Sequence, residues 1–192
     1  MSTQPHVVAI CGSLRDGSHT RTALGHALNE ARERGASTDL LDLREFDLPP
    51  FDPDHDEAGD ATRLRQAVRE ADSVILGTPM YHGSYSAVLK NALDYCGFDE
   101  FEETTVGLLA VAGGSFPTGA LDALRTVCRA LDAWTLPHQV AIPSAYDQFE
   151  DGEFVDDSLE ERTLVLGKRV VEYTSIEPNP SSFESEQNAG GD

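Results

Sequence analysis

The 192-residue sequence predicts a doubly wound α/β architecture: a five-stranded parallel sheet with helices on both faces. Three observations carry this expectation. Short apolar runs recur along the chain, segments with helical periodicity separate them, and glycine- or hydroxyl-rich loops follow the first, third and fourth runs.

Residues 7–11, VVAIC, form a continuous apolar run, the pattern of a strand covered on both faces. A helix over 20–34 follows, with Leu24, Ala27, Leu28 and Ala31 at helical spacing and Gly35 as its stop. Residues 38–43 alternate toward a second strand. Residues 45–60 carry four prolines or glycines and many acids, and read as a loop. Ala61, Leu64, Val68 and Ala71 line a second helix. The third strand is expected at 72–78, followed by a turn over 79–84 and a helix over 86–96. Residues 105–112 give a fourth strand, 113–119 a glycine-rich loop, and Ala120, Leu121, Leu124, Val127, Cys128 and Leu131 one face of a fourth helix. The fifth strand, 134–142, contains Pro137, which argues for an edge position or a broken strand. Leu159, Thr163, Leu166, Val170 and Tyr173 mark a closing helix. One domain is expected over residues 1–175, burying roughly 70% of the surface its unfolded form exposes. Residues 176–192 read as a disordered polar tail.

In such sheets ligands bind beyond the carboxyl ends of the strands, where the strand order reverses. The loops after strands one, three and four therefore matter most. The first reads GSLRDGSHT, residues 12–20. It is not a P-loop, because Ser18 and His19 stand where that motif needs Lys and Ser or Thr. It also lacks the middle glycine of a dinucleotide fingerprint, and position 17 is glycine where a cysteine phosphatase would carry arginine. Two readings remain. In one, the hydroxyls of Ser13, Ser18 and Thr20, backbone N–H groups near Gly12 and Gly17, and the following helix start converge on a monophosphate, with Arg15 adding a charged contact. In the other, the loop is a solvated turn whose Ser18 or Thr20 caps the helix. The second loop offers Pro79, Met80, Tyr81, His82 and Gly83, and the third offers Gly113, Gly114 and Ser115 beside Phe116. Together with an anion cradle they suit a ligand with a phosphate at one end and a planar ring at the other.

Composition narrows the partners. Thirty-four acids against fourteen bases give a formal net charge of -20, with Lys90 and Lys168 as the only lysines. This charge excludes nucleic acid and anionic membranes as natural partners. The acids are spread along the chain, which points to a halophilic source: near 1 M salt the Debye length is roughly 3 Å and self-repulsion is screened. No apolar stretch approaches the roughly 20 residues that span a bilayer, and the first five residues lack signal-peptide character, so a cytoplasmic location is expected. Cys11, Cys96 and Cys128 show neither disulfide nor zinc spacing. The acidic stretch around His55 lacks the Gly and Glu of a calcium loop, having Glu57 and Arg63 at those places, and no metal site is indicated.

The loop sequences carry a resemblance. GSLRDGSHT at 12–20 is similar to GSLRxGSxT, and TPMYHGSYSAVLKNALD at 78–94 to TPxYxGSxxxxLKNALD, the two long motifs of the NADPH-dependent FMN reductases, over about residues 6–145. Met80 and His82 stand where many relatives carry Glu and Asn. The resemblance implies a flavodoxin-like fold with strand order 2-1-3-4-5 and FMN as cofactor. It implies Ser13, Arg15, Ser18 and Thr20 on the FMN phosphate, Pro79 to Gly83 on the isoalloxazine, and Gly113, Gly114 and Ser115 at its pyrimidine side. It further implies a homodimer or homotetramer that passes hydride from NAD(P)H to FMN and then to a small-molecule electron acceptor such as a quinone, azo compound or free flavin. No catalytic side chain is required, since the flavin carries the chemistry. A non-enzymatic electron carrier and a binding protein without cofactor are the alternatives.

Overall fold

The computed structural model describes residues 4–174 and 176. Its elements are β1 His6–Cys11, α1 His19–Glu33, β2 Ser37–Asp42, α2 Ala61–Arg69, β3 Ser73–Pro79, α3 Ala87–Asp94, α4 Phe98–Phe101, β4 Thr105–Val111, α5 Thr118–Ala130, β5 Trp134–Ile142, β6 Phe149–Glu150, β7 Glu153–Phe154 and α6 Asp157–Glu172. The five long strands form one parallel sheet in the order β2-β1-β3-β4-β5, while β6 and β7 pair as a separate antiparallel hairpin. The expected architecture and strand order are both present. The tail expected after Ile176 lies outside the described residues.

Alternation along the central strands divides the interior into two cores. Val8 and Ile10, Val74 and Leu76, and Val106, Leu108 and Ala110 face α2, α3 and α5. Val7, Ala9 and Cys11, Ile75, and Leu109 and Val111 face α1 and α6. Both faces are apolar because right-handed crossovers lay helices on both sides. Helices α1 and α6 cross closely at Gly167, where a Cβ would collide with the carbonyl of Ala27.

Pro137 lies in an edge strand, and the strand is also irregular. The β4–β5 register jumps between Val106 and Leu108, so Leu136, Pro137 and His138 bulge opposite Gly107. A proline without an N–H is tolerated there because no ladder bond is asked of it. Arg125 donates to the Leu136 carbonyl at 2.8 Å, and Arg162 donates to the Gln139 carbonyl at 3.2 Å.

Four stretches differ from expectation. Pro79 ends β3 rather than opening the turn: it occupies the last rung opposite Val111, and the next N–H, of Met80, donates to the Val111 carbonyl at 2.7 Å. The short helix α4 and the β6–β7 hairpin fall in stretches to which the sequence reading assigns no element, where too few residues exist to display a period. Leu43 belongs to a 3-10 turn, Leu43–Glu45, rather than to β2.

Candidate functional site

The strand order reverses between β1 and β3, so the loops leaving these strands diverge and open a cleft at the carboxyl end of the sheet. Hydrogen bonds tie the loops together at their roots. Gly12 N–H donates to the Gly77 carbonyl at 2.8 Å, and the Ser86 hydroxyl, which caps α3, donates to the Gly12 carbonyl at 2.7 Å. The Thr78 hydroxyl accepts from Ser86 N–H at 2.9 Å and donates to the Pro79 carbonyl at 2.9 Å. Gly12 has to be glycine: a Cβ there would sit 2.7 Å from Leu89 Cβ and 2.8 Å from Ser86 Oγ.

Above this root the first loop presents polar groups to the cleft. Ser13, Ser18 and Thr20 are buried in its wall. Ser18 caps α1, its oxygen accepting from Arg21 N–H at 3.2 Å, while its own proton can turn to the Cys11 sulfur or into the cleft. Among the described residues no acceptor serves the N–H groups of Ser18, His19 and Thr20, the donors a helix start leaves unpaired. The Thr20 hydroxyl likewise has no protein partner. Both readings of the loop thus meet in Ser18, which caps the helix with its oxygen and keeps a donor in hand.

Arginine and aspartate brace the loop from outside. Arg21 Nε donates to Asp42 Oδ2 at 2.7 Å, and its other nitrogens bind the Asp16 and Arg15 carbonyls. Arg44 donates to Asp42 as well, through Nη2 at 2.7 Å. Burial alone would push the Asp42 carboxyl up, but the hydrogen bonds from Arg44 and Arg21 together hold it below the usual carboxylate range. Arg15 takes no part in this brace through its side chain. Its Nη1 donates to the Tyr146 hydroxyl at 2.9 Å and its guanidinium lies 5.5 Å from that ring's centre.

Pro79, Met80, Tyr81 and Gly113 form the opposite wall, joined by Ala145 and Tyr146 from the 3-10 turn Ala145–Asp147 after β5. The cleft has about 410 Å³ of empty volume, continuous with solvent. Tyr81 and Tyr146 stand half or more exposed at its rim, and Tyr146 meets His19 edge-on at 5.8 Å between ring centres. His19 in turn stacks on Phe149 of β6 at 5.0 Å. Burial, and then the Arg15 charge, push the His19 imidazole below its ordinary pKa.

Of the residues singled out in the sequence, Ser13, Arg15, Ser18, Thr20, Pro79, Met80, Tyr81 and Gly113 come together around this cleft. His82 and Gly83 do not line it. They form the tip of a tight turn, with φ of 51° and 84°, closed by reciprocal bonds between Tyr81 and Ser84. Gly114 and Ser115 are exposed on the third loop, outside the wall, and the Gly114 carbonyl accepts from Ser144 N–H at 2.9 Å. The sequence reading missed His19, Val111, Ala145 and Tyr146. The signal available for Tyr146 was its position just past the end of a strand adjoining the other three, since every such loop opens on the same end of the sheet.

Comparison with known proteins agrees with this fold. A family model described as NADPH-dependent FMN reductase matches residues 5–147. The chain is 33% identical over 178 residues to an FMN-dependent NADPH-azoreductase of Staphylococcus haemolyticus (strain JCSC1435), spanning 88% of this chain and 95% of that one. It is 32% identical to a protein of the same description from Staphylococcus aureus (strain USA300), over the same shares of the two chains. Among solved structures, an NADH:FMN oxidoreductase in its apo form superposes with a TM-score of 0.75 at 22% identity, covering 91% of this chain and 92% of that one. The NAD(P)H:(acceptor) oxidoreductase FerB of Paracoccus denitrificans gives 0.68 at 21% identity, covering 88% and 97%. At these identities the structural matches speak to the fold, and the longer sequence matches to descent. The chain belongs to the NADPH-dependent FMN reductase family.

Proposed function

We propose that the cleft holds one FMN, its phosphate against Ser13, Arg15, Ser18 and Thr20 and its ring along Pro79, Met80, Tyr81 and Gly113, with His82, Gly83, Gly114 and Ser115 approaching from the loop tips. One observation carries this reading. In a chain of net charge -20, no acidic side chain lines this cleft among the described residues, while unpaired N–H groups and hydroxyls converge there. A phosphate dianion is what that donor set neutralises. The family's cofactor therefore fits the residues present.

FMN held by these residues would supply hydride transfer from NAD(P)H and delivery of the electrons to a small acceptor. The chain's part is to bind and orient. The start of α1 and three hydroxyls hold the phosphate, Arg15 adds a charge steadied by Tyr146, and Pro79 to Tyr81 form the floor for a flat ring. Tyr81 and Tyr146 leave aromatic surface at the rim against which a planar acceptor can stack. The acceptor class we favour is an azo compound, in keeping with the description of the 33%-identical relative. We further propose a cytoplasmic homodimer or homotetramer, one folded domain over residues 1–175, and a halophilic origin, the last from the acid excess. No helix among the described residues is long and apolar enough to cross a membrane.

The test is FMN retention in an Arg15→Ala/Ser18→Ala double variant, with the flavin spectrum recorded before and after anaerobic NADPH. The variant should fold, lose FMN affinity by about tenfold or more, and show NADPH-dependent flavin reduction only at raised FMN. Unchanged affinity removes these residues from the site.

A further inference from the structure

A second polar cluster lies where α1 meets α6 and the β6–β7 hairpin. His26, on α1, meets Glu160, in the first turns of α6, and Glu153, which opens β7. One ring nitrogen and one oxygen of each carboxylate lie within 4.8 Å of one another. The imidazole is largely buried, its side chain 16% exposed, and Phe154 covers its edge at 5.0 Å between ring centres. His26 Nε2 is 3.0 Å from the Gly152 carbonyl oxygen. A carbonyl only accepts, so Nε2 of the neutral ring carries the proton and Nδ1 keeps its lone pair. Nδ1 faces Glu160 Oε1 at 3.8 Å, and Glu153 Oε2 is 3.9 Å from Nε2. Neither glutamate has an arginine or lysine partner among the described residues.

We propose that His26, Glu153 and Glu160 form a site for one divalent transition-metal ion of the Zn²⁺ type, pinning the β6–β7 hairpin to α1 and α6. The chemistry of the donors selects the ion class. Imidazole with two carboxylates suits Zn²⁺ and its neighbours, whereas Ca²⁺ and Mg²⁺ ask for oxygen ligands throughout. The geometry needs little change. Zinc bonds of about 2.0–2.2 Å at tetrahedral angles place ligand atoms about 3.3 Å apart, and the Nδ1–Glu160 Oε1 separation of 3.8 Å exceeds this by about half an ångström. Glu153, 3.9 Å from Nε2 and mostly exposed, is the ligand that has to move to reach Nδ1, and its long side chain is free to do so. The hydrogen bond that would orient the ring is already in place: a ligating histidine commonly donates its other N–H to a backbone carbonyl, and Gly152 supplies one. Three protein ligands leave a coordination position for water. Phe149, on the same hairpin, stacks on His19 in the cleft wall, so the ion would brace that wall from behind.

The probe is Zn²⁺, titrated calorimetrically into the full FMN-loaded chain after chelator treatment and dialysis, in excess Mg²⁺. Wild type should bind one equivalent at micromolar concentration and melt at higher temperature with Zn²⁺. His26→Gln and Glu160→Gln should each weaken binding by about tenfold or more and abolish the thermal shift. Glu153→Gln, at an exposed position, carries the same expectation should the other two variants fold poorly. His55→Gln, which removes the exposed His55–Asp52 pair as a competing ligand, should bind as wild type does. Equal Zn²⁺ binding by wild type and all three cluster variants, or binding lost in His55→Gln, overturns the proposal. Zn²⁺ binding without a thermal shift overturns the pinning role. FMN affinity measured alongside reports on the cleft independently.

Discussion

Replacing Gly12 with alanine tests whether the root of the cleft is as tight as its geometry implies. The added Cβ would lie 2.7 Å from Leu89 Cβ, 2.8 Å from Ser86 Oγ and 3.3 Å from the Gly77 carbonyl oxygen. Leu89 Cβ is fixed to the backbone of α3, so no rotamer change relieves that contact and the helix itself has to retreat. Ser86 Oγ can turn away only by giving up its bonds to the Gly12 carbonyl at 2.7 Å and to Leu89 N–H at 3.2 Å. Overpacking costs about 1–3 kcal/mol, and losing a cap or a buried hydrogen bond about 1 kcal/mol each. A total near 3 kcal/mol is expected, a large share of the roughly 5–15 kcal/mol that stabilises a typical domain. Urea unfolding followed by circular dichroism measures it, and the thermal midpoint should fall by about 6–12 °C. Ser86→Ala alone should cost about 1–2 kcal/mol. The double variant should lose less than the two singles together, because removing the hydroxyl relieves one clash. A Gly12→Ala loss below about 1 kcal/mol, with FMN affinity unchanged, would refute the argument that this turn has no slack.

Two further outcomes follow from the ionisable groups. The Asp42 carboxyl sits below its unfolded value of about 3.9 because hydrogen bonds from Arg44 and Arg21 outweigh burial. Its stabilisation is therefore present above that value and is lost as pH falls through the lower folded one. Asp42→Asn should be less stable at neutral pH and show a flatter loss of stability below about pH 4, read by denaturant midpoints across pH. The three thiols should resist alkylation in the native state. Burial pushes Cys96 up to about 12 and Cys128 up to about 11, and raises Cys11 as well. Iodoacetamide at pH 8 should label them only at the rate of unfolding, and fast native labelling of any one would contradict its burial.

The sheet was legible because its central strands are buried on both faces, and a run such as VVAIC has no polar residue to blur it. The first loop was legible because Ser18 caps the helix through local geometry and Thr20 stands beside it in the first turn. Tyr146 was not, since it meets Arg15 across 131 residues and no local pattern announces that contact. The β6–β7 hairpin escaped for a different reason: two-residue strands in an acid-rich stretch show no alternation. His26, Glu153 and Glu160 combine both difficulties, coming from three elements with no shared motif. Pro79 shows the limit of residue preferences, for a proline can end a strand as readily as it opens a turn when its neighbour supplies the missing donor.

The bulge in β5 has a bearing on how molecules of this protein meet. An open strand border offers its amides and carbonyls to any stray strand, and a crowded acidic protein loses its electrostatic protection whenever salt screens its charges. At the β5 edge the strand is kinked around Pro137, and arginine side chains already occupy the carbonyls of Leu136 and Gln139. Fibrillar stacking at that margin is blocked by shape and by prior occupancy, neither of which salt removes.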